Sequence, residues 1–396
     1  MEEPETMSKK TILLMAVVTG IIVANLNFIQ PIENLIATDF GISKATVGVL
    51  AMITQLGYAF GLLLIVPLGD IFDRYRLIQF MMILSIISLL LAFFAPNAIV
   101  FAIATTLIGI TSVAPQIIIP YAGYLAPVLQ RGKVLGIVLS GLLTGILLSR
   151  SFSGLLGSIM PWQDIYLIAA GIDLIFLVIV NRFLPRDARG HRDLKYWSVI
   201  KMLPKLFVRQ KALRGSSING FCMFGMSNVL WSTLAFYLAA QYHLGSNVAG
   251  LLGLLGIAGV LVAPWVGNLV DQRSPKLTIG LSMIFSGLAF VIFWLVGFWL
   301  LGLILGIILL DLGTQFSQVS NQAIVQSLNR QQSSRNNSVF MFSYFLGGSI
   351  GTLAATWAWS NFGWIGVCLV ALVFLIIAVI DYLVIGEPEK LNTETE

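Results

Sequence analysis

Long apolar runs, separated by short polar breaks, recur along the whole chain. A helix needs about 20 consecutive apolar residues to cross the hydrocarbon core of a bilayer. Twelve runs are long enough, and we number them as spans 1 to 12. They cover residues 11–36, 46–66, 77–95, 98–126, 134–158, 164–183, 216–240, 247–269, 277–297, 299–326, 338–359 and 362–385. The pattern predicts an all-α membrane protein with twelve transmembrane helices.

The longest polar break, 184–215, divides the spans into two sets of six. We therefore predict an N-terminal six-helix bundle over 1–183, a cytoplasmic linker over 184–215 and a C-terminal six-helix bundle over 216–396. Within the linker, residues 196–208 mix aromatic, basic and apolar side chains. This segment is either a short helix on the membrane surface or a solvated linker, and the sequence favours neither.

The composition agrees with this prediction. Hydrophobic residues make up 58% of the chain and charged residues only 10%, whereas a typical soluble domain has about 25% charged residues. With so few charges a soluble protein would be unable to cover its surface with polar groups. Most soluble enzymes, nucleic-acid binders and disordered proteins are therefore excluded.

No group of residues in the sequence indicates catalysis. His191 and His243 lie in loops, and Cys222 and Cys368 lie in separate apolar runs, so we predict neither a metal cluster nor a disulfide framework. The sequence also contains no phosphate-binding loop. We expect no enzyme activity, no cofactor and no metal, and an ion gradient rather than ATP as the energy source.

The basic residues indicate the orientation in the membrane. If both termini are cytoplasmic, 21 of the 23 Lys and Arg residues fall on the cytoplasmic side, Lys44 falls outside and Arg150 falls within span 5. The positive-inside rule therefore predicts this orientation, in an inner (cytoplasmic) membrane. The net charge of +5 then belongs to loops that face lipid headgroups rather than nucleic acid.

The two halves carry a similar signature at matching places. The stretch LGDIFDRYR (68–76) follows span 2, and GNLVDQRSPK (267–276) follows span 8. An acidic residue followed by basic residues in a tight cytoplasmic turn, repeated at this interval, indicates an internal duplication. Parallel six-helix repeats are an architecture found in transporters.

Both turns resemble the G-x-L-x-D-x-x-G-R-K/R loop of the major facilitator superfamily, which the chain resembles along its whole length. Five further stretches are similar to bacterial drug and sugar efflux permeases of that superfamily: NLNFIQP (25–31), APQ (114–116), SGLLTGILLSR (140–150), DLGTQ (311–315) and YFLGG (344–348). The resemblance implies two pseudo-symmetric six-helix bundles and a central cavity lined by spans 1, 4, 7 and 10. It also implies alternating access, with protons driving the export of drugs, sugars or metabolites.

Residues in the two repeated loops are candidates for gating, and they are Asp70, Arg74, Arg76, Asp271, Arg273 and Lys276. Spans 5 and 11 begin at the cytoplasmic face, so the positive ends of their dipoles point toward these loops. Asp70 at the start of span 11 and Asp271 at the start of span 5 would each contribute about 0.3–1 kcal/mol, or up to about 2 kcal/mol if partly buried. The resemblance implies a latch that favours the outward-open state, and the alternative is ordinary turn and topogenic charge.

Two glycines in span 5 are further gating candidates. Gly141 and Gly145 form a small-residue face on this helix. Such faces let two helix backbones approach closely in lipid. Close packing without a gating role is the simpler interpretation.

Arg150 in span 5 and Asp173 in span 6 lie at equal depth in the membrane. A charge at the bilayer centre costs roughly 2.5–3.5 kcal/mol on insertion scales, so each calls for a partner or a function. One alternative is that the two residues pair and neutralise each other. The other is that Arg150 faces the cavity, where it binds an anionic group or modulates a nearby carboxyl group.

Asp311 is the first candidate for proton coupling, together with Arg150 and Asp173. It lies near the middle of span 10, and Gln315, Gln318 and Gln322 follow on the same helical face. A carboxyl group on the wall of the cavity can exchange protons as the cavity opens to either side. The alternative is a purely structural, hydrogen-bonded acid.

Polar and aromatic side chains of the cavity helices and Arg150 are the candidates for substrate binding. They are Asn27, Gln30, Gln116, Arg150, Asn228, Trp231, Asp311, Gln315, Gln318 and Gln322. Glu33 lies close to the outer end of span 1, and we expect it to be hydrated.

These observations predict a monomeric secondary transporter that moves a small molecule and protons across the lipid bilayer, with efflux as the expected direction. Uptake of a nutrient or a lipid-like solute is the alternative within the same class. A non-transporting membrane receptor is the alternative from another class, and the duplicated loops argue against it.

Replacement of Asp70 by Asn tests the latch. We expect Asp70→Asn to remove the charge–dipole contact and to shift the protein toward states that are open to the cytoplasm. The shift is measured as faster reaction of cysteines introduced on the cytoplasmic side with a maleimide. An unchanged reaction rate would contradict the latch.

Overall fold

Nearly all the residues that the structure describes are helical. The structure is a computed structural model and describes residues 8–126, 131–186, 196–257, 259, 262, 265–266, 269, 274–328 and 333–385. Its α-helices in these ranges are α1 (Lys9–Ala24), α2 (Ile29–Phe40), α3 (Lys44–Leu64), α4 (Arg74–Phe93), α5 (Ala98–Thr111), α6 (Pro115–Leu125), α7 (Arg131–Leu156), α8 (Trp162–Phe183), α9 (Tyr196–Arg209), α10 (Lys211–Trp231), α11 (Leu234–Tyr237), α12 (Ser246–Leu252), α13 (Pro275–Val296), α14 (Leu300–Leu328) and α15 (Ser333–Ile385).

Within the described ranges, ten helical stretches are long and apolar enough to cross a membrane. The last of them, Arg335–Val384, contains both span 11 and span 12. Its helix is broken at Gly363, where φ is 62° and ψ is −148°, a conformation that favours glycine. The apolar helices therefore account for every predicted span except span 8, whose described part begins with α12.

Spans 1, 4 and 7 are each interrupted along their length. Span 1 consists of α1 and α2, span 4 of α5 and α6, and span 7 of α10 and α11. At the interruptions, backbone amides bond three residues back, for example Asn27 to Ala24 at 3.0 Å and Thr233 to Leu230 at 3.0 Å. Such turns are tighter than an α-helix. Spans 1 and 7 occupy corresponding places in the two halves, and paired interruptions of this kind point to a binding region.

Contacts divide the chain into two compact units, the first of which comprises Met1–Gly41, Ile53–Ser198 and Gly245–Leu254. In unit 1 the backbones of α1 and α7 touch at glycine. A methyl group added to Gly20 would lie 2.6 Å from the carbonyl oxygen of Gly141. One added to Gly145 would overlap the carbonyl oxygen of Gly20. Gly141 and Gly145 thus form a close-packing face on α7, and their gating role stays a prediction.

The second unit comprises Ile42–Met52, Val199–Leu244 and Leu255–Glu396. It repeats this packing between α10 and α15. A methyl group added to Gly347 would overlap the carbonyl oxygen of Phe221, and one added to Gly351 would overlap that of Gly225. Span 7 therefore packs on span 11 as span 1 packs on span 5, so the duplication indicated by the loops extends to the helix packing.

Unit 1 includes a short segment from the second half of the sequence. This segment is α12, the start of span 8, which packs against α7. The hydroxyl of Ser151 donates to the carbonyl oxygen of Gly250 at 2.8 Å. The hydroxyl of Ser246 donates to that of Gly154 at 3.2 Å. Glycine and serine thus let the two helix backbones come close together.

Unit 2 includes the beginning of α3, which comes from the first half of the sequence. Gly48 contacts Thr356 of α15. The ammonium group of Lys44 lies 5.2 Å from the ring centre of Phe236 and 5.6 Å from that of Trp359, within the range of a cation–π contact. The predicted domain boundaries at residues 183 and 216 follow the order of the spans and stay a prediction.

The predicted linker contains the amphipathic helix α9. Leu203 and Leu206 are buried, whereas Trp197 is 67% exposed. The hydroxyl of Tyr196 donates to the carbonyl oxygen of Leu64 at 2.8 Å, and partial burial raises the pKa of Tyr196 above its ordinary value. The segment is therefore helical, and its contact with the membrane surface stays a prediction.

The glycine contact between α1 and α7 predicts the effect of a single methyl group. Gly145→Ala forces the two backbones apart, and we expect it to lower the free energy of unfolding by about 1–3 kcal/mol. Unfolding of the purified protein in detergent by SDS, followed by tryptophan fluorescence, measures the change. Gly136→Ala is the matched control, because Gly136 lies in the same helix with nothing within 4 Å of the added methyl group. Equal losses in the two variants would contradict the packing argument.

Candidate functional site

A buried polar cluster surrounds Asp173 in unit 1. Its carboxylate Oδ2 accepts hydrogen bonds from the hydroxyl of Ser85 at 2.8 Å and from the amide of Asn25 at 3.1 Å. The three side chains come from α8, α4 and the turn that follows α1, and all three are buried. Within the described part of the chain, Oδ1 of Asp173 has no hydrogen-bond partner. The cluster thus joins a carboxyl group to the interruption in span 1.

Arg150 contacts span 1 in α2, whereas Asp173 contacts it in the turn after α1. Its Nε donates to the side-chain oxygen of Gln30 at 3.1 Å, and the Arg150 side chain is 8% exposed. A methyl group added to Gly253 would lie 2.9 Å from Cβ of Arg150, so the arginine also lies against the end of α12. Arg150 and Gln30, which are both predicted substrate residues, are therefore neighbours.

The alternative in which Arg150 pairs with Asp173 is wrong. Asp173 bonds to Asn25 and Ser85, whereas Arg150 bonds to Gln30. Equal depth does not bring the two charges together because α7 packs mainly against α1, while α8 packs mainly against α4. The helices α7 and α8 follow one another in the sequence, but each packs mainly against a different helix.

Two other candidates from the first half occupy the interrupted spans. Gln116, in the first turn of α6, donates from its amide to the hydroxyl of Tyr58 at 3.3 Å. Asn27 is half-buried in the turn between α1 and α2. Both therefore lie close to an interruption in a predicted cavity helix.

The predicted polar stripe of span 10 is present in unit 2. Asp311, Gln315, Gln318 and Gln322 lie on α14, which is continuous, and all four are half-buried. Span 8 approaches the stripe closely, because a methyl group added to Gly259 would lie 2.8 Å from Cγ of Gln315 and 3.3 Å from the carbonyl oxygen of Asp311. The amide of Gln322 donates to Asn337 at 3.2 Å.

A second polar cluster of unit 2 is a set of residues that the sequence analysis did not assign to the site. Asn219 on α10 accepts from the hydroxyl of Ser317 at 2.8 Å and from the amide of Asn321 at 2.7 Å. Ser317 and Asn321 are one turn apart on α14, and this spacing is the signal that would have identified them. The three buried side chains join span 7 to span 10.

Asn228 and Trp231, the candidates in span 7, are both buried near the end of α10. The amide of Asn228 donates to the carbonyl oxygen of Phe224 in its own helix at 3.0 Å. The hydroxyl of Ser232 donates to the carbonyl oxygen of Asn228 at 2.6 Å. These bonds lie at the interruption of span 7.

The structure describes the predicted gating loops only in part. Asp271 and Arg273 lie outside the described residues, and so does the side chain of Asp70, whose backbone belongs to the 3₁₀ turn Val66–Asp70. The latch they were predicted to form joins the two halves and stays a prediction.

Three basic residues of these loops are described. Arg74 donates to the carbonyl oxygen of Gly69 at 2.9 Å and so closes its own turn. Nε of Arg76 lies 3.6 Å from Oδ2 of Asp73, and the Arg76 side chain is largely exposed. The ammonium group of Lys276 lies 5.5 Å from the ring centre of Tyr382.

The expectation that Glu33 is hydrated is wrong. Its side chain is 0% exposed, and neither carboxylate oxygen has a hydrogen-bond partner among the described residues. The helix α2 continues to Phe40, about 10 Å beyond Glu33 at 1.5 Å per residue. Glu33 therefore lies about two turns inside the end of α2 rather than at its surface.

The comparisons with known proteins agree with this architecture. The model of the Major Facilitator Superfamily matches residues 12–328 and 216–396. The chain belongs to the major facilitator superfamily. It is 35% identical to the uncharacterized transporter YgaY of Escherichia coli strain K12, over 94% of this chain and 95% of that protein. It is 30% identical to a transporter of Streptomyces coelicolor, over 92% of this chain and 85% of that protein.

Solved structures support the same fold. A bacterial homologue of the human lysosomal transporter Spinster, crystallised in an inward-facing and unoccupied conformation, superposes with a TM-score of 0.76 at 14% identity and covers 96% of this chain and 98% of its own. A POT family transporter in complex with a thioalcohol-conjugated peptide superposes with a TM-score of 0.80 at 13% identity, over 94% of each chain. The predicted fold class is confirmed, and the chain is a multi-pass membrane transporter rather than an enzyme.

The cluster around Asp173 predicts a stability effect. Ser85→Ala removes one of the two donors to a buried carboxylate, and we expect the free energy of unfolding to fall by about 1–3 kcal/mol. Ser88→Ala is the matched control, because Ser88 is buried in the same helix and, among the described residues, its hydroxyl bonds to the carbonyl oxygen of Leu84 alone. Unfolding by SDS in detergent compares the two variants. A loss as large in Ser88→Ala as in Ser85→Ala would argue against the cluster.

Proposed function

We propose that this transporter couples the efflux of a small molecule to protons, with Asp311 as the coupling carboxyl group. Arg150 and Asp173 assist it from unit 1. The substrate binds among the polar groups of spans 1, 4, 7 and 10. Drugs, sugars or metabolites are the proposed substrates, and no cofactor is required.

The observation that carries the proposal is the position of Asp311. This residue lies near the middle of a continuous transmembrane helix and is half-buried. A membrane protein that keeps an acidic residue at this depth bears a cost of about 2.5–3.5 kcal/mol on insertion scales, and such residues commonly mark ion and proton pathways. The half-buried glutamines on the same face extend the polar surface along α14.

Arg150 supports the proposal from unit 1. It is buried beside Gln30 and lies within the membrane, where a guanidinium group suits the recognition of an anionic group on a substrate. Asp173 is positioned by two hydrogen bonds and keeps one oxygen for a proton. The proposed direction, efflux, rests on the similarity of the stretches at 25–31, 114–116, 140–150, 311–315 and 344–348 to bacterial drug and sugar efflux permeases.

Transport in proteoliposomes with an imposed pH gradient tests the coupling. We expect gradient-driven transport of a probe, chosen from a panel that includes ethidium and arabinose, in the wild type. Asp311→Asn removes the titrating group, so gradient-driven transport should be lost while exchange of the same probe across the membrane is retained. Asp164→Asn is the matched control, because Asp164 lies in the first turn of α8 at the end of a span.

Two outcomes would contradict the coupling. One is probe flux that does not respond to the pH gradient in the wild type. The other is gradient-driven flux that is equal in the wild type and in Asp311→Asn.

A further inference from the structure

Glu33 is an acidic residue that is fully buried in unit 1. Its carboxylate oxygens have no hydrogen-bond partner among the described residues, and the side chain is 0% exposed. An ionised carboxylate in such surroundings is strongly disfavoured, because burial removes its hydration and no partner replaces it. In this structure the site therefore suits the neutral, protonated acid.

Among the described residues, α2, which carries Glu33, packs mainly against α7, α8 and α12, and its last residue Phe40 contacts Phe101 of α5. The rings of Phe28, which precedes α2, and Phe152 on α7 lie 5.7 Å apart. A methyl group added to Gly157 would lie 2.8 Å from the side chain of Ile32. The packing of α2 on α7 is therefore apolar at these positions.

The other charged and titratable groups of α2, α8 and the adjacent half of α7 either contact residues other than Glu33 or lie at the ends of their helices. Arg150 bonds to Gln30, Asp173 to Asn25 and Ser85, and Asp39 to Trp162 and Gln163. Tyr166 packs its ring against Phe101 and Trp162. Asp164 and Arg182 lie at the two ends of α8, and Arg131 and Lys133 lie at the far end of α7. The sequence of α12, SNVAGLL, has no titratable group.

The helix that carries Glu33, α2, packs against a helix from the other half of the sequence. The helix α12 begins span 8, yet it packs in unit 1 against α7 and α2. In alternating access, the two repeats move relative to one another. The proposed function therefore requires α12 to separate from α2 and α7 in part of the cycle, and this separation would let water reach the part of α2 that α12 covers.

We propose that Glu33 is a proton-binding carboxyl group whose protonation stabilises the packing of α12 against α2 and α7. This inference rests on the proposed function, since it assigns a second proton site to the same transporter. The neutral acid is compatible with the packed arrangement, whereas the carboxylate favours the separated arrangement, in which water solvates it. Packing of α12 thereby becomes dependent on pH, independently of any substrate.

The direction of the pH dependence follows from the linkage between proton binding at Glu33 and the packing of α12. The packed state binds one proton more than the separated state at pH values where separated Glu33 is ionised. Raising the pH therefore favours separation, by at most about tenfold in the equilibrium per pH unit for one proton. The effect disappears at pH values low enough to protonate Glu33 in both states.

Cysteine labelling in lipid nanodiscs, where both membrane faces are accessible, measures the separation without a substrate. The reporter is Ser246→Cys, since the Ser246 hydroxyl contacts Gly154 in the packed state. We expect its reaction with a maleimide to accelerate by up to about tenfold per pH unit, after correction for thiol ionisation with a cysteine in an exposed loop. The parent protein gives the background, because its own Cys222 and Cys368 are buried.

Variants of Glu33 identify the titrating group. Glu33→Gln keeps the shape but loses the charge, so labelling should be slow and independent of pH, whereas Glu33→Asp should keep a pH dependence. Asp39→Asn is the matched control on the same helix, and its dependence should equal that of the parent. His243→Asn is a second control, because His243 carries an exposed imidazole just before α12. Asparagine is chosen because it tolerates the φ of 55° at this residue.

A pH dependence that survives unchanged in Glu33→Gln would overturn the proposal. If Glu33→Gln does not fold, as judged by its elution profile in detergent, Glu33→Leu carries the same expectation of slow, pH-independent labelling. Infrared difference spectra between acidic and alkaline buffer give a second readout, in which Glu33→Gln should lack one protonated-carboxyl band of the parent.

The result separates this inference from the proposed function. Gradient-driven transport in the wild type, combined with pH-dependent labelling that Glu33→Gln does not alter, would refute the role of Glu33 and leave the coupling by Asp311 intact. Labelling that depends on Glu33, combined with probe flux that ignores the pH gradient, would support the proton site and refute proton coupling.

Discussion

Backbone contact at glycine is the interaction on which both units depend. Lipid tails are as apolar as leucine, so helices in a bilayer associate through close van der Waals packing rather than through the hydrophobic effect. Gly20 meets Gly141 and Gly145 in unit 1, and Gly225 meets Gly351 in unit 2. The first of these contacts aligns α1 and α7, and the continuation of span 1 in α2 then places Gln30 beside Arg150. The packing of small residues thus positions the charged group.

The side chains of Asp173, Arg150 and Glu33 in unit 1 have three different surroundings. Asp173 is held by donors from two other elements, Arg150 bonds to an amide oxygen on span 1, and Glu33 is buried without a hydrogen bond among the described residues. A buried polar group that makes hydrogen bonds can have a static structural role. A buried carboxyl group without them is compatible with burial only as a neutral acid, so its environment must change when its proton leaves.

Much of the architecture could be predicted from the sequence because the thickness of the bilayer dictates the length of each apolar run. The half-buried stripe from Asp311 to Gln322 followed from the helical period alone. The partners of Arg150 and Asp173 could not be predicted in the same way. The depth of a residue along a span can be counted from the sequence. Its partners depend on which neighbouring helix its side chain faces, and here those neighbouring helices are distant in the sequence.

The sequence by itself determined the number and order of the spans, the internal duplication and the residues whose charge is unusual in a membrane. These properties depend on composition and spacing along one chain, which a sequence displays directly. The tertiary structure decided which polar groups meet, that Asn219 joins Ser317 and Asn321, and that Glu33 is buried rather than hydrated. Burial and hydrogen bonding are properties of several helices at once, and α12 joins unit 1 from the other half of the chain.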